Sequence, residues 1–174
     1  MKAAFAIWLT GLPASGKSAI ARDLLAQLHA RGTHAAVLES DVMRTQLTPF
    51  PRYDASERDL FYASLGDIAA LLLQRGVPVI LDATANKRSY RDSLRARAGK
   101  FLEVFVDTPV EVCAARDPKG LYRDAQEGKL VSLPGAQAAY EPPPYPELVL
   151  PGYAVAPAAA AQAIVALLER HGWI

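Results

Sequence analysis

Residues 11–18 read Gly11-Leu12-Pro13-Ala14-Ser15-Gly16-Lys17-Ser18, a complete G-x-x-x-x-G-K-[ST] motif. A short apolar run precedes it, and apolar residues at helical spacing follow it. The motif therefore stands at a strand-to-helix turn, the context in which it holds phosphate. Phosphate oxygens need donors without bulk. Glycine lets the backbone curl so that successive N–H groups point inward as an anion nest, and the helix N-terminus adds partial positive charge. Gly11, Ala14, Ser15 and Gly16 would line that nest. Lys17 would reach the β- and γ-phosphates of a nucleoside triphosphate such as ATP, and the Ser18 hydroxyl would ligate Mg²⁺. A chance Gly-rich turn is the alternative, but motif and context agree.

Strand and helix patterns alternate along the chain, which predicts an α/β fold: a parallel sheet with helices on both faces. Residues 3–9 read as the first strand. Residues 17–31 carry Ile20, Leu24, Leu25 and Leu28 at a helical period, and Gly32 stops the helix. Residues 34–38 read as the second strand. Asp54 or Ser56 can cap a long helix to about residue 75, with Leu60, Leu65, Ile68 and Leu72 on its inner side. Residues 77–81 are wholly apolar, as expected of a strand buried on both faces. Residues 88–98 read as helix and 101–106 as strand, and Pro109 opens another helix at its first turn. From about 117 to 135 the segment is charged, holds three glycines and lacks a long apolar run. It reads as a lid. Residues 140–146 are proline-rich and extended, and 148–150 can form a last strand before an amphipathic terminal helix. No repeat, linker or second domain is visible, so residues 1–174 read as one P-loop domain.

Composition sets further bounds. The 174 residues suffice for one domain with a useful core. The single cysteine, Cys113, allows no intrachain disulfide, which fits a cytoplasmic location. A net charge of +1, from 19 basic and 18 acidic residues, argues against a broad nucleic-acid footprint. It leaves room for a small anion held by a few arginines. No apolar stretch reaches the ~20 residues of a membrane span, and no signal peptide is apparent.

Acidic residues stand at the ends of two expected strands, where phosphoryl transfer would use them. Asp82 ends the apolar run 77–81, where an aspartate can hold Mg²⁺ directly or through water; the other reading is a cap for the helix that follows. Glu39-Ser40-Asp41-Val42-Met43-Arg44 follows the second strand. Asp41 or Glu39 can accept a proton from an acceptor hydroxyl, and Arg44 can grip an acceptor anion with its planar fork. The alternative there is a helix N-cap at Ser40 or Asp41 with a surface arginine.

At this point the chain resembles the adenylylsulfate kinase family over nearly its whole length. WLTGLPASGKS at 8–18 looks like the family P-loop. FLEVFVDTPVEVCAARDPKGLY at 101–122 runs almost word for word with the family pattern for a strand, a helix and the start of the lid. YEP at 140–142 and PELVL at 146–150 continue it. The resemblance implies a nucleotide-kinase-like P-loop fold, a homodimer, and ATP-dependent phosphorylation of the ribose 3′-hydroxyl of adenylyl sulfate. It implies that Arg116 lies against the nucleotide and that Asp41 is the base. Arg44 and Arg58 would hold the acceptor's anionic group, Tyr53 would stack on its base, and Lys119 and Arg123 would close over the phosphates. For the last two, a solvated charged helix is the alternative.

Departures from the family pattern concentrate on the acceptor side. Asn-Ile-Arg-Arg is replaced by Phe61-Tyr62-Ala63-Ser64, Ile-Ser-Pro by Thr84-Ala85-Asn86, and Phe-Thr-Gly-Ile-Asp by Leu133-Pro134-Gly135-Ala136-Gln137. The losses include an amide, two guanidiniums and a stacking aromatic, and Arg88 and Arg91 stand where they could compensate. Thr84, Ala85 and Leu133 join the candidate substrate residues. Asp82-Ala83-Thr84-Ala85-Asn86 also resembles a group of small kinases for sugar acids and polynucleotide 5′-hydroxyls. Three expectations follow. The first is an adenylylsulfate kinase, the second a related P-loop kinase with a different small hydroxylated acceptor, the third a nucleotide-binding module without turnover.

Overall fold

The computed structural model describes residues 4–52, 54–130 and 132–174. Five strands, β1 (Ala6–Thr10), β2 (Ala36–Glu39), β3 (Val79–Asp82), β4 (Phe101–Asp107) and β5 (Leu148–Pro151), form one sheet in the order β2-β3-β1-β4-β5. Every pairing is parallel. Strand β1 is central and wholly apolar up to Thr10 because both of its faces are covered. Phe5, Ile7 and Leu9 pack with α1 (Lys17–Ala30) and α7 (Pro157–Arg170). Ala6 and Trp8 face the opposite way, toward α3 (Ala55–Gln74) and α4 (Arg88–Ala98). The one polar atom of Trp8 is satisfied, its indole N–H donating to the Ala83 carbonyl at 3.0 Å.

Sequence and structure agree on the alternation and differ in detail. Strand bounds move by one to three residues, the most at the start of β1. Asp54 is the cap of α3, its carboxylate accepting the Glu57 amide at 2.8 Å. Leu60 does not lie on the inner side of that helix: it is 66% exposed, and Phe61, Tyr62, Leu65 and Ala69 face the sheet instead. Leu65 is on the inner side as expected, and Ile68 and Leu72 are partly buried against the same core, so Leu60 alone of the four is misplaced. A short helix α2 (Ser40–Leu47) starts directly at the end of β2, with Glu39 as its cap residue. None of its side chains is fully buried; Met43 and Leu47 are partly buried against the core. The segment 117–135 contains α6 (Leu121–Gln126), which follows α5 (Val110–Arg116). Tyr122, Ala125 and Leu133 form a small core there with Cys113. No helix among the described residues is long and apolar enough to cross a membrane.

Arg91 is not on a cavity wall. It is 1% exposed, under the sheet edge, and its guanidinium is fully engaged. Nε donates to Glu103 at 2.5 Å, Nη2 to the Glu141 carbonyl at 2.7 Å, and Nη1 to the Ala85 carbonyl. Glu103 also receives Arg95, which in turn pairs with Glu147. The network pins the 140–147 strap and the Ala85 turn to β4. Replacing Arg91 would leave Glu103 buried with only Arg95 beside it. Arg91→Leu is expected to cost about 3 kcal/mol of unfolding free energy, read from the midpoint of urea unfolding. A midpoint equal to wild type would contradict this assignment.

Candidate active site

The carboxyl ends of the strands gather the expected groups, as open α/β sheets do. Thr10 of β1 leads into the phosphate loop. Gly11 has φ +150°, and a Cβ there would meet the Val106 carbonyl at 2.5 Å; Gly16 has φ +110°. Both positions therefore require glycine. Lys17 folds against its own loop, its ammonium donating to the Gly11 and Leu12 carbonyls at 3.0 and 2.8 Å. Burial lowers its pKa, against the opposing pull of Asp82, Cys113 and Asp41. Glu39 and Asp82 are register neighbours at the edge, and Asp82 also pairs with Leu9 of β1. Asp82 is 4% exposed.

Lys17, Glu39 and Asp82 line a cavity of about 490 Å³ together with Ala14, Gly16, Ser18, Arg116 and Lys119, while Gly11 and Ser15 shape the loop without lining it. Arg116 spans its rim, donating to the Ser15 carbonyl at 3.4 Å and to the Gly152 carbonyl at 3.0 Å. A second cavity of about 150 Å³ adjoins the first and is lined by Arg44, Arg58, Tyr62, Leu133 and Pro134. Five residues belong to both: Pro13, Ser40, Asp41, Thr84 and Leu121. Asp41 thus stands at the seam, ion-paired with Lys119. That hydrogen bond raises the Lys119 pKa, so a cation persists at the junction. Arg58 donates to the Ser132 carbonyl at 2.9 Å, while Arg44 lies 4.0 Å above the Phe61 ring and 3.4 Å from Glu57.

Thr84 is held from the loop side. Its carbonyl accepts the Thr10 hydroxyl at 2.7 Å. With that proton committed, Tyr140 is the donor to Thr10 across 2.9 Å. Burial pushes the Tyr140 phenol up to about 12, which keeps the donor protonated.

Several expected residues fall elsewhere. Tyr53 lies outside the described residues. Arg123 is exposed, faces Asp124 at 3.6 Å and does not line either cavity. Arg88 points outward, 3.8 Å from Glu141, and Arg91 is committed to the core network described above. Ala85 is buried with its N–H and C=O both used, so Thr84 rather than Ala85 faces the cavities. Glu39 lines the larger cavity only. The replaced quartet also reads differently in three dimensions. Ala63 is exposed, Ser64 is half-buried, and neither lines the smaller cavity. Neither Arg88 nor Arg91 lines the smaller cavity either, so they supply no charge to it. Phe61 lies beneath Arg44 as a cation–π platform, and only Tyr62 of the four lines the cavity.

Sequence reasoning missed Arg22, which lines the larger cavity one helical turn beyond Ser18; the i, i+4 spacing could have found it. It also missed Ser132 and the Thr10–Tyr140 pair, which are separated in the chain and carry no local pattern.

Comparison with known proteins agrees with this geometry. The model of the adenylylsulphate kinase family matches residues 3–151. The adenylyl-sulfate kinase of Synechococcus sp. (strain JA-3-3Ab) is 35% identical over 168 residues, covering 97% of this chain and 96% of that one. That of Microcystis aeruginosa (strain NIES-843 / IAM M-2473) is 41% identical over 142 residues, covering 82% and 78%. Among solved structures, the Mycobacterium tuberculosis APS kinase CysC in complex with AMPPNP and APS superposes with a TM-score of 0.90 at 33% identity. That match covers 97% of this chain and 99% of the other.

Proposed function

The chain belongs to the adenylylsulphate kinase family, and on that premise we propose that it transfers the γ-phosphoryl group of ATP to the 3′-hydroxyl of adenylyl sulfate. The products are ADP and 3′-phosphoadenylyl sulfate. The observation that carries the residue roles is the seam: Asp41 lines both the larger and the smaller cavity. A group that takes the acceptor hydroxyl's proton has to stand between donor and acceptor, and the phosphoryl group has to cross at the same place.

The chemistry follows from that placement. ATP occupies the larger cavity, with its phosphates on the 11–18 loop and Lys17 along the β- and γ-phosphates. Adenylyl sulfate occupies the smaller one, its anionic end toward Arg44 and Arg58. As the acceptor oxygen bonds to the γ-phosphorus, its proton passes to Asp41 and the bond between the γ-phosphorus and the bridging oxygen breaks, releasing ADP. Lys119, charged and beside Asp41, stabilises the negative charge that accumulates there.

The donor set also suits a hard cation. The Ser18 hydroxyl and the Asp82 carboxylate line the same cavity, both as oxygen ligands, and Mg²⁺ takes such ligands with phosphate oxygens completing its shell. Ser18 and Asp82 would hold the ion, which when bound neutralises phosphate charge. Asp82→Asn is expected to raise the Mg²⁺ concentration for half-maximal turnover by about tenfold. A companion titration of Mg²⁺ against the intrinsic fluorescence of the ATP-bound protein should shift in parallel. An unshifted titration would remove Asp82 from the ion's surroundings.

The reading extends to a cytoplasmic homodimer, for which static light scattering of the purified protein is the test. Acceptor identity is tested by offering ATP with adenylyl sulfate, nucleosides, sugars, sugar acids and 5′-hydroxyl oligonucleotides in parallel. Adenylyl sulfate is expected to gain phosphate with a kcat/KM far above the others. Preference for another acceptor would overturn the assignment.

A further inference from the structure

Tyr62 is the only member of the replaced quartet 61–64 that lines the smaller cavity. Its hydroxyl oxygen accepts the Ala85 amide at 2.9 Å. Ala85 has φ +45°, a left-handed conformation that alanine adopts only under constraint. The constraint is visible on every side. Arg91 holds the Ala85 carbonyl, Thr10 holds the carbonyl of Thr84, and the Asn86 carbonyl accepts the Glu141 amide at 2.8 Å. A turn fixed this way presents its one outward amide to Tyr62 in a fixed direction. The phenol ring is fixed as well, stacked on Tyr90 at 4.5 Å between centroids.

We propose that Tyr62 is an acceptor-recognising residue, its hydroxyl oriented by the strained Ala85 amide and its own proton donated to the bound acceptor. A phenol oxygen that accepts an amide proton keeps its own proton to give. Burial pushes the Tyr62 phenol up, so that proton is retained at neutral pH. The cavity that Tyr62 lines, beside Thr84 and opposite Arg44 and Arg58, is where an acceptor oxygen would receive it. The inference rests on the proposed function, since it concerns how that acceptor is read. In this account the replaced quartet does not empty the cavity of polar contacts. A neutral donor enters at Tyr62, while Ala63 and Ser64 do not line the cavity.

The experiment compares wild type, Tyr62→Phe and Ala85→Gly for kcat and for KM of adenylyl sulfate and of ATP, with thermal unfolding as a control. Tyr62→Phe keeps the ring between Phe61 and Tyr90. It is expected to lower kcat/KM for adenylyl sulfate about tenfold or more, with KM for ATP changed little. Ala85→Gly frees the turn without touching the phenol and should give a smaller loss with the same selectivity. A purely structural role would lower both substrates' kcat/KM together, or shift unfolding alone, and either result would overturn the proposal. So would Tyr62→Phe with wild-type kinetics. A wild type that turns over no adenylyl sulfate would overturn the proposed function itself, which distinguishes the two failures.

Discussion

Lys17→Ala is expected to lower turnover by about 10²–10³-fold while leaving the fold as stable as before. In the structure the ammonium is buried and satisfied by the Gly11 and Leu12 carbonyls, so it sits at the head of the phosphate nest. Its depressed pKa, caused first by burial, means that the fold disfavours the charged form. The sign matters for stability. For a lysine whose folded pKa is lowered, the ammonium weighs against folding at neutral pH, and that weight lifts only as pH rises through the folded value. Truncation therefore removes a destabilising charge along with three hydrogen bonds, the third a longer one to the Ser15 hydroxyl at 3.4 Å. An arriving polyanion reverses the balance, because a phosphate beside a desolvated ammonium favours the charged form. The prediction is checked by steady-state kinetics alongside thermal unfolding. Turnover near wild type would contradict the donor assignment; collapse of the fold would contradict the stability half.

Asp41→Asn should lower kcat by about 10²-fold or more, with a modest change in KM for ATP. Asparagine keeps the size of aspartate and can still accept the Lys119 ammonium through its amide oxygen. It cannot take up a proton. Because Asp41 is shared by both cavities, the loss should fall on the transfer step and not on nucleotide binding. An unchanged kcat would move the base elsewhere. Glu39 is then the candidate, one residue before α2 at the carboxyl edge of β2.

The donor half was legible because its chemistry is local. Seven consecutive bonds from Gly11 to Ser18 contain the glycines, the lysine and the hydroxyl, and the flanking periodicities declare strand and helix. The sheet was legible for a similar reason: strands buried on both faces have to be apolar along their length, as β1 and β3 are up to their terminal Thr10 and Asp82. Helix α2 was not, since its eight residues are largely polar and its inward stripe is only Met43 and Leu47, too short to stand out.

The acceptor side is assembled from α2, α3, the turn after β3 and residues 130 and 132–134, and no spacing rule joins them. Position along the chain therefore does not say which of the replaced residues line the cavity: of 61–64 only Tyr62 does, while Ala63 is exposed and Ser64 half-buried. Arg91 was misread for a related reason. Arginine on a polar-looking helix reads as a surface or ligand residue, and its role in the core depends on Glu103 from β4 and on carbonyls from two separate loops. The strain at Ala85 has no sequence signature at all, because alanine gives no sign of a left-handed backbone.

The most direct test of the central claim follows the phosphorus. The protein is incubated with Mg²⁺, ATP labelled at the γ-position and adenylyl sulfate, and the product is resolved by phosphorus NMR. The account predicts the label as a monoester on the ribose 3′-oxygen of adenylyl sulfate, formed in step with ADP. Label found only in inorganic phosphate, or on another hydroxyl, would contradict it.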